Sequence, residues 1–165
     1  MATKYTNIET ALTNPKDRYD GKIRSGKIQL TRATWTPDGT DVQNNVVNIV
    51  TLPVGAMVIP HLSQLSMESS AANGSPVLDL SIGDGGDADR YMLATDVKAG
   101  GTFVFAQDGL SPATRPAGCT PYYLRSGSNI VKATITSSAP NATATTGSTV
   151  VFDIAWVHGG TNPTE

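Results

Sequence analysis

From residue 22 onward the chain alternates apolar and polar positions with a period of two, the mark of half-buried strands. Ile23, Ile28 and Leu30 stand among polar residues, Ala33 and Trp35 follow, and Pro37-Asp38-Gly39 stops the run. Val42 and the stretch Val46 to Leu52 make the next strand, closed by Pro53-Val54-Gly55. Ala56 to Ile59 begins a third, which Leu62, Leu65 and Met67 continue beyond Pro60. Val77, Leu78, Leu80 and Ile82 lead through the Gly/Asp-rich segment 83–89 into Tyr91, Met92 and Leu93, which predicts a hairpin. Gly100-Gly101 precedes a short strand at Phe103-Val104-Phe105. A second hairpin is expected where Tyr122-Tyr123-Leu124 turns at residues 126–129 and runs back through Ile130, Val131, Ala133 and Ile135. Thr149 to Val157 forms the last strand.

Residues 1–21 lack this periodicity and carry the turn signals Asn14-Pro15 and Asp20-Gly21, so they read as an extended arm. Residues 107–121 and 137–148, rich in Gly, Pro, Ser and Thr, read as loops, and 159–165 as a flexible tail. The body is therefore residues 22–158. About eight or nine short strands with no helix predict an all-β antiparallel sandwich. An eight-stranded jelly roll suits the count best, and an immunoglobulin-like sandwich shares the pattern.

Composition narrows the function. At 165 residues one core is expected, and its size requires neither metal nor disulfide. The one cysteine, Cys119, flanked by Gly118, Thr120 and Pro121, reads as a small apolar residue rather than a nucleophile. Twelve basic against fourteen acidic residues, with the basic ones scattered apart from Lys22, Arg24 and Lys27, give no nucleic-acid footprint. No apolar run has the roughly 20 residues of a membrane helix, and the first residues lack the apolar stretch of a signal peptide. A soluble product of the cytoplasm is expected.

Candidate chemistry is sparse. His61 and His158 fit no metal-ligand spacing and read as surface or strand-end residues. No nucleotide-binding or hydrolase motif has its strand-to-helix context, so no enzyme activity and no cofactor are expected. The segment from Asp79 to Arg90 could present Asp84, Asp87 and Asp89 to Ca²⁺, although its spacing is not that of an EF-hand. The alternative is a tight turn in which Asp side chains bond the backbone, glycines take positive φ, and Asp87 or Asp89 pairs with Arg90. Trp35 and Trp156, near strand ends, are core or interface anchors. In a carbohydrate-binding module, a rival reading, aromatic residues would instead be exposed to stack on sugar.

Several stretches resemble small virion proteins of tailed bacteriophages, the capsid decoration or cement proteins: the opening MATKY, Gly21-Lys22-Ile23-Arg24-Ser25, the turn Leu52-Pro53-Val54-Gly55-Ala56, and above all Leu78 to Tyr91 with its IGDGGDADRY core. The similarity spans about residues 1–157, and IGDGGDADRY is its distinctive part. The resemblance implies a jelly-roll homotrimer on the outside of an icosahedral head, made in the host cytoplasm, that bridges neighbouring capsomers of the major capsid protein. It also implies that residues 1–21 latch onto the shell, with Tyr5, Ile8, Leu12, Arg18 and Tyr19 as the contacting side chains. A tail, neck or head-fibre component of the same virion is the alternative within this class.

Overall fold

A computed structural model describes residues 3–5, 28–37, 41–68, 78–105, 128–136 and 149–158, with side chains from residue 28 onward. The chain forms β1 (Thr3–Tyr5), β2 (Ile28–Trp35), β3 (Val46–Thr51), β4 (Ala56–Val58), β5 (Gln64–Met67), β6 (Asp79–Gly83), β7 (Met92–Asp96), β8 (Gly101–Val104), β9 (Ile130–Ile135) and β10 (Val150–His158). Among the described residues the single helical element is a 3-10 turn at Pro60–Leu62. The fold is all-β, as the alternation predicts.

Two sheets result. The first has the order β1-β3-β9-β6-β7, and the second β2-β10-β5-β8 with β4 also on β10. Every pairing is antiparallel except β1 on β3. One apolar cluster draws on both sheets: Val47, Ile49, Leu80, Ile82, Met92, Val131, Ala133 and Ile135 from the first, Ala33, Trp35, Leu65, Val150, Phe152, Ile154 and Trp156 from the second. The alternation of buried Val131, Ala133 and Ile135 with half-buried Lys132 and Thr134 on β9 shows how a period of two seats one face on this core. Each large apolar side chain so buried contributes roughly 1.5–3 kcal/mol.

β10 is central to the second sheet and is buried on both faces along much of its length. On one side it pairs with β2 from Val150↔Trp35 to Val157↔Ile28. On the other it pairs with β4 and β5 in turn, Trp156↔Val58 and Asp153↔Gln64 flanking a gap. The 3-10 turn fills that gap, because Pro60 has no N–H and cannot continue a ladder. The buried hydroxyl of Ser63 replaces the missing rung: it accepts the Ala155 N–H at 2.9 Å and donates to the Ile59 carbonyl at 2.8 Å.

The turn after β3 is set by sequence in the expected way. The Ala56 N–H reaches the Pro53 carbonyl at 3.0 Å, and Gly55 takes φ 83°, the left-handed position of a type II turn. The second expected hairpin is corrected. Between Lys132 and Thr134 both edges of β9 are taken, by β3 and by β6, which leaves no free edge there for a third strand. The positions 122–124 expected to pair with it lie outside the described residues, as do the expected loops at 107–121 and 137–148, Cys119 and the expected tail at 159–165.

Candidate functional site

The most distinctive sequence segment is the connection between β6 and β7. Asp84 is buried at its centre, and both carboxylate oxygens are committed within the turn. Oδ1 accepts the N–H groups of Gly86 at 2.7 Å and Asp87 at 3.1 Å. Oδ2 accepts Arg90 Nε at 2.7 Å and the buried Tyr91 hydroxyl at 3.0 Å. The Asp84 N–H in turn donates to the Asp87 carbonyl at 2.8 Å, and the Ser81 hydroxyl donates to the Ala88 carbonyl at 3.1 Å. Four donors around one carboxylate nearly fill its acceptor capacity.

Two details differ from the sequence expectation. Arg90 pairs chiefly with Asp84, whereas Asp87 stands 4.0 Å from its Nη2. The glycine that matters is Gly83, and the reason is space rather than φ. A Cβ at Gly83 would lie 2.0 Å from the Asp87 carbonyl oxygen and 2.4 Å from the Ala88 carbonyl carbon. Positive φ among the described residues falls at Asn44, Gly55, Gly100 and Gly101 and not in this turn.

Asp87 and Asp89 line the exposed side of the turn. The Asp89 N–H approaches Asp87 Oδ1 at 3.4 Å. The Asp89 carboxyl is held above its ordinary value, first by a hydrogen bond shared with the Asp87 carboxyl, then by burial and by the charge of Asp87. Among the described residues no group of three His, Cys, Asp or Glu side chains is placed to hold a metal ion. His61 is exposed on the 3-10 turn, and His158 closes β10 half-buried.

The outer face of the second sheet carries a polar row that the sequence reading did not pick out. Arg32, Asp153, Gln64 and Val104 are successive Cα partners across β2, β10, β5 and β8. Arg32 grips Asp153 with two bonds, Nε to Oδ1 at 2.7 Å and Nη2 to Oδ2 at 2.9 Å. Gln64 reaches Oδ2 from the other side at 3.5 Å. The Asp153 carboxyl is mostly covered, and the Arg32 hydrogen bond holds it below its ordinary value against the opposing effect of burial. The partners lie 121 residues apart, so only the strand register reveals the pair.

Next to this row β2 exposes Ile28 and Leu30, at 60% and 64%, opposite Val157 and Ala155 of β10. Trp35 and Trp156 both lie in the core, and the Trp156 indole N–H donates to the Thr31 hydroxyl at 3.0 Å. Of the expected arm residues, only Tyr5 falls in a described strand, by its backbone; Ile8, Leu12, Arg18 and Tyr19 lie outside the described residues.

No protein-family model matches the sequence, and a search of curated proteins finds no match. Solved structures do resemble the fold. One chain of the capsid of Ralstonia phage GP4 aligns at TM-score 0.66 and 15% identity, over 97% of this chain and 100% of that one. One chain of the cyanophage Pam1 capsid asymmetric unit aligns at TM-score 0.57 and 22% identity, over 84% of this chain and 91% of that one.

Proposed function

We propose that this chain is a structural protein of a tailed-bacteriophage virion, a decoration protein that binds the outside of the head as a homotrimer and bridges neighbouring capsomers of the major capsid protein. The observation that carries the reading is the end-to-end likeness to a phage GP4 capsid chain, with all of that chain and 97% of this one aligned. The segment IGDGGDADRY, through which the sequence resembles decoration proteins, is a turn held mainly by its own hydrogen bonds, which supports a structural role for it.

The sandwich is read as a jelly roll, and strand pairing supports this. β2 pairs with β10, β3 with β9, β5 with β8 and β6 with β7, a nested set such as a single long hairpin makes when it is rolled up. The Asp84 turn is then the tip of that hairpin. Stabilisation of the head needs no chemistry: a trimer touching several capsomers gains affinity by multivalency, and binding to the closed shell alone raises the cost of rupturing it. Residues 1–21, with Tyr5, Ile8, Leu12, Arg18 and Tyr19, supply the latch in this reading.

The test is add-back of purified protein to expanded heads assembled without it, followed by imaging and thermal rupture. Density on the outer head surface and a higher rupture temperature are expected. Density confined to tail or neck, or no binding, overturns the proposal. Deleting residues 1–21 is expected to leave a folded protein that no longer binds heads.

A further inference from the structure

The residues assigned to the latch include some that the isolated chain already uses. Thr3, Lys4 and Tyr5 are the Cα partners of Val46, Val47 and Asn48, so β1 lies parallel to β3 on the outer edge of the first sheet. Backbone groups bonded to β3 cannot at the same time bond a shell protein. We infer that β1 is the parked form of the arm, held on the β3 edge in the free subunit and released from it on docking. This inference rests on the arm reading given above.

The pairing is suited to exchange. β1 has three residues, one neighbour among the described strands and parallel geometry, which is the less stable ladder per residue. The net gain from each of its hydrogen bonds is comparable with the entropy lost in ordering the residue that makes it. An edge strand so balanced opens at little cost. β3 keeps its antiparallel partner β9 from Val46 to Thr51 when β1 leaves, so release does not dismantle the sheet. Residues 6–27 separate β1 from β2, and a chain of that length can span roughly 70 Å when fully extended, enough to reach well beyond the subunit.

Parking also has a use before docking. An unpaired β3 edge would be a template for another strand, and free subunits accumulating before assembly would be prone to edge-to-edge association. With β1 in place that edge is covered along Val46–Asn48. The edge opens only where the arm has something better to bind.

A reversible lock tests this. In the full chain with Cys119→Ser, the substitutions Thr3→Cys and Val46→Cys place two thiols at partnered positions. Adjacent strands lie roughly 4.7–4.9 Å apart, within the Cα separation a disulfide accepts. The purified protein should oxidise to an intrachain disulfide, bind heads at least about tenfold more weakly than its reduced form, and recover on reduction. Equal binding by the oxidised and reduced forms overturns the inference, as does failure of the bond to form. Where this pair fails to fold, Lys4→Cys with Val47→Cys provides the same lock one residue along, outside the set of contacting side chains. Deletion of residues 1–21 separates the two ideas: full binding by the deletion defeats the arm reading, whereas loss of binding by the deletion with no effect of the lock defeats the parked strand alone.

Discussion

Replacing Asp84 by alanine removes the acceptor of four hydrogen bonds at once. The Gly86 and Asp87 N–H groups sit near the surface and water can serve them, so their loss is modest. The Tyr91 hydroxyl is buried and loses its bond to Asp84, and a hydrogen bond to a charged group is worth about 1.5–3 kcal/mol. The Arg90 side chain is 12% exposed, and removing one partner of a buried ion pair costs about 3–5 kcal/mol. Asp87, already 4.0 Å from Arg90, can swing in and recover part of this. A net loss of about 3–4 kcal/mol follows, just above the common range for a single substitution. Equilibrium urea unfolding at fixed protein concentration measures it, with fluorescence of the buried Trp35 and Trp156 as the signal. A double-mutant cycle with Arg90→Ala isolates the pair, and the two losses should fall well short of additive. Added Ca²⁺ should leave the wild-type midpoint unchanged, because Asp84 has little acceptor capacity left. A loss below about 1 kcal/mol, additive substitutions, or a midpoint that rises with Ca²⁺ refutes the reasoning.

Gly83→Ala forces the Asp87 and Ala88 backbone away from a new Cβ, and a cost of about 2–3 kcal/mol in the same unfolding assay is expected from overpacking against atoms that cannot rotate aside. Ser63→Ala leaves the Ala155 N–H without its acceptor in the buried gap beside β10, which should cost about 1–3 kcal/mol, while Ser63→Thr keeps the oxygen and should lose less unless its methyl group clashes. Asp153 has a lowered pKa through Arg32, so its contribution is present above the ordinary carboxylate value of 3.8 and is lost as pH falls below it; Arg32→Gln should flatten stability against pH in that acid range, and an unchanged acid limb counts against the pair. Asp96→Asn removes the like charge facing Asp79, whose carboxyl is raised first by burial and then by Asp96. That raised group favours the folded state only as it protonates, so the substitution should raise the thermal midpoint at pH 7 and have no effect at pH 3.

The alternation in β2 and β9, the type II turn at Gly55 and the β6–β7 hairpin were legible because each is a local matter of period or turn chemistry. β4 and β5 were legible as one strand running on past Pro60, and both do lie along β10. What the sequence hid was the partner of each strand. Ile130 to Ile135 follows a turn signal and invites a hairpin with its predecessor, yet it inserts between β3 and β6, some 80 and 50 residues upstream. The same non-local register conceals Arg32–Asp153 and the Ser63–Ala155 rung. In the Asp-rich turn the sequence showed that a turn was needed. It could not show that Asp84, buried at the centre of the turn, is the chief partner of Arg90, with Asp87 at the longer distance.

The central place of β10 has a consequence for biosynthesis. A ribosome delivers β2, β4 and β5 long before residues 150–158, and within the described second sheet neither β2 nor β4 has any neighbour but β10. The nascent chain therefore emerges with β2 and β4 unpaired within that sheet, and Ala33 and Trp35 wait for the strand beside them. Apart from the β5–β8 pair, the second sheet closes late rather than growing from the N-terminus. A premature stop anywhere before Val150 does not shorten this domain; it removes the strand on which the second sheet is built.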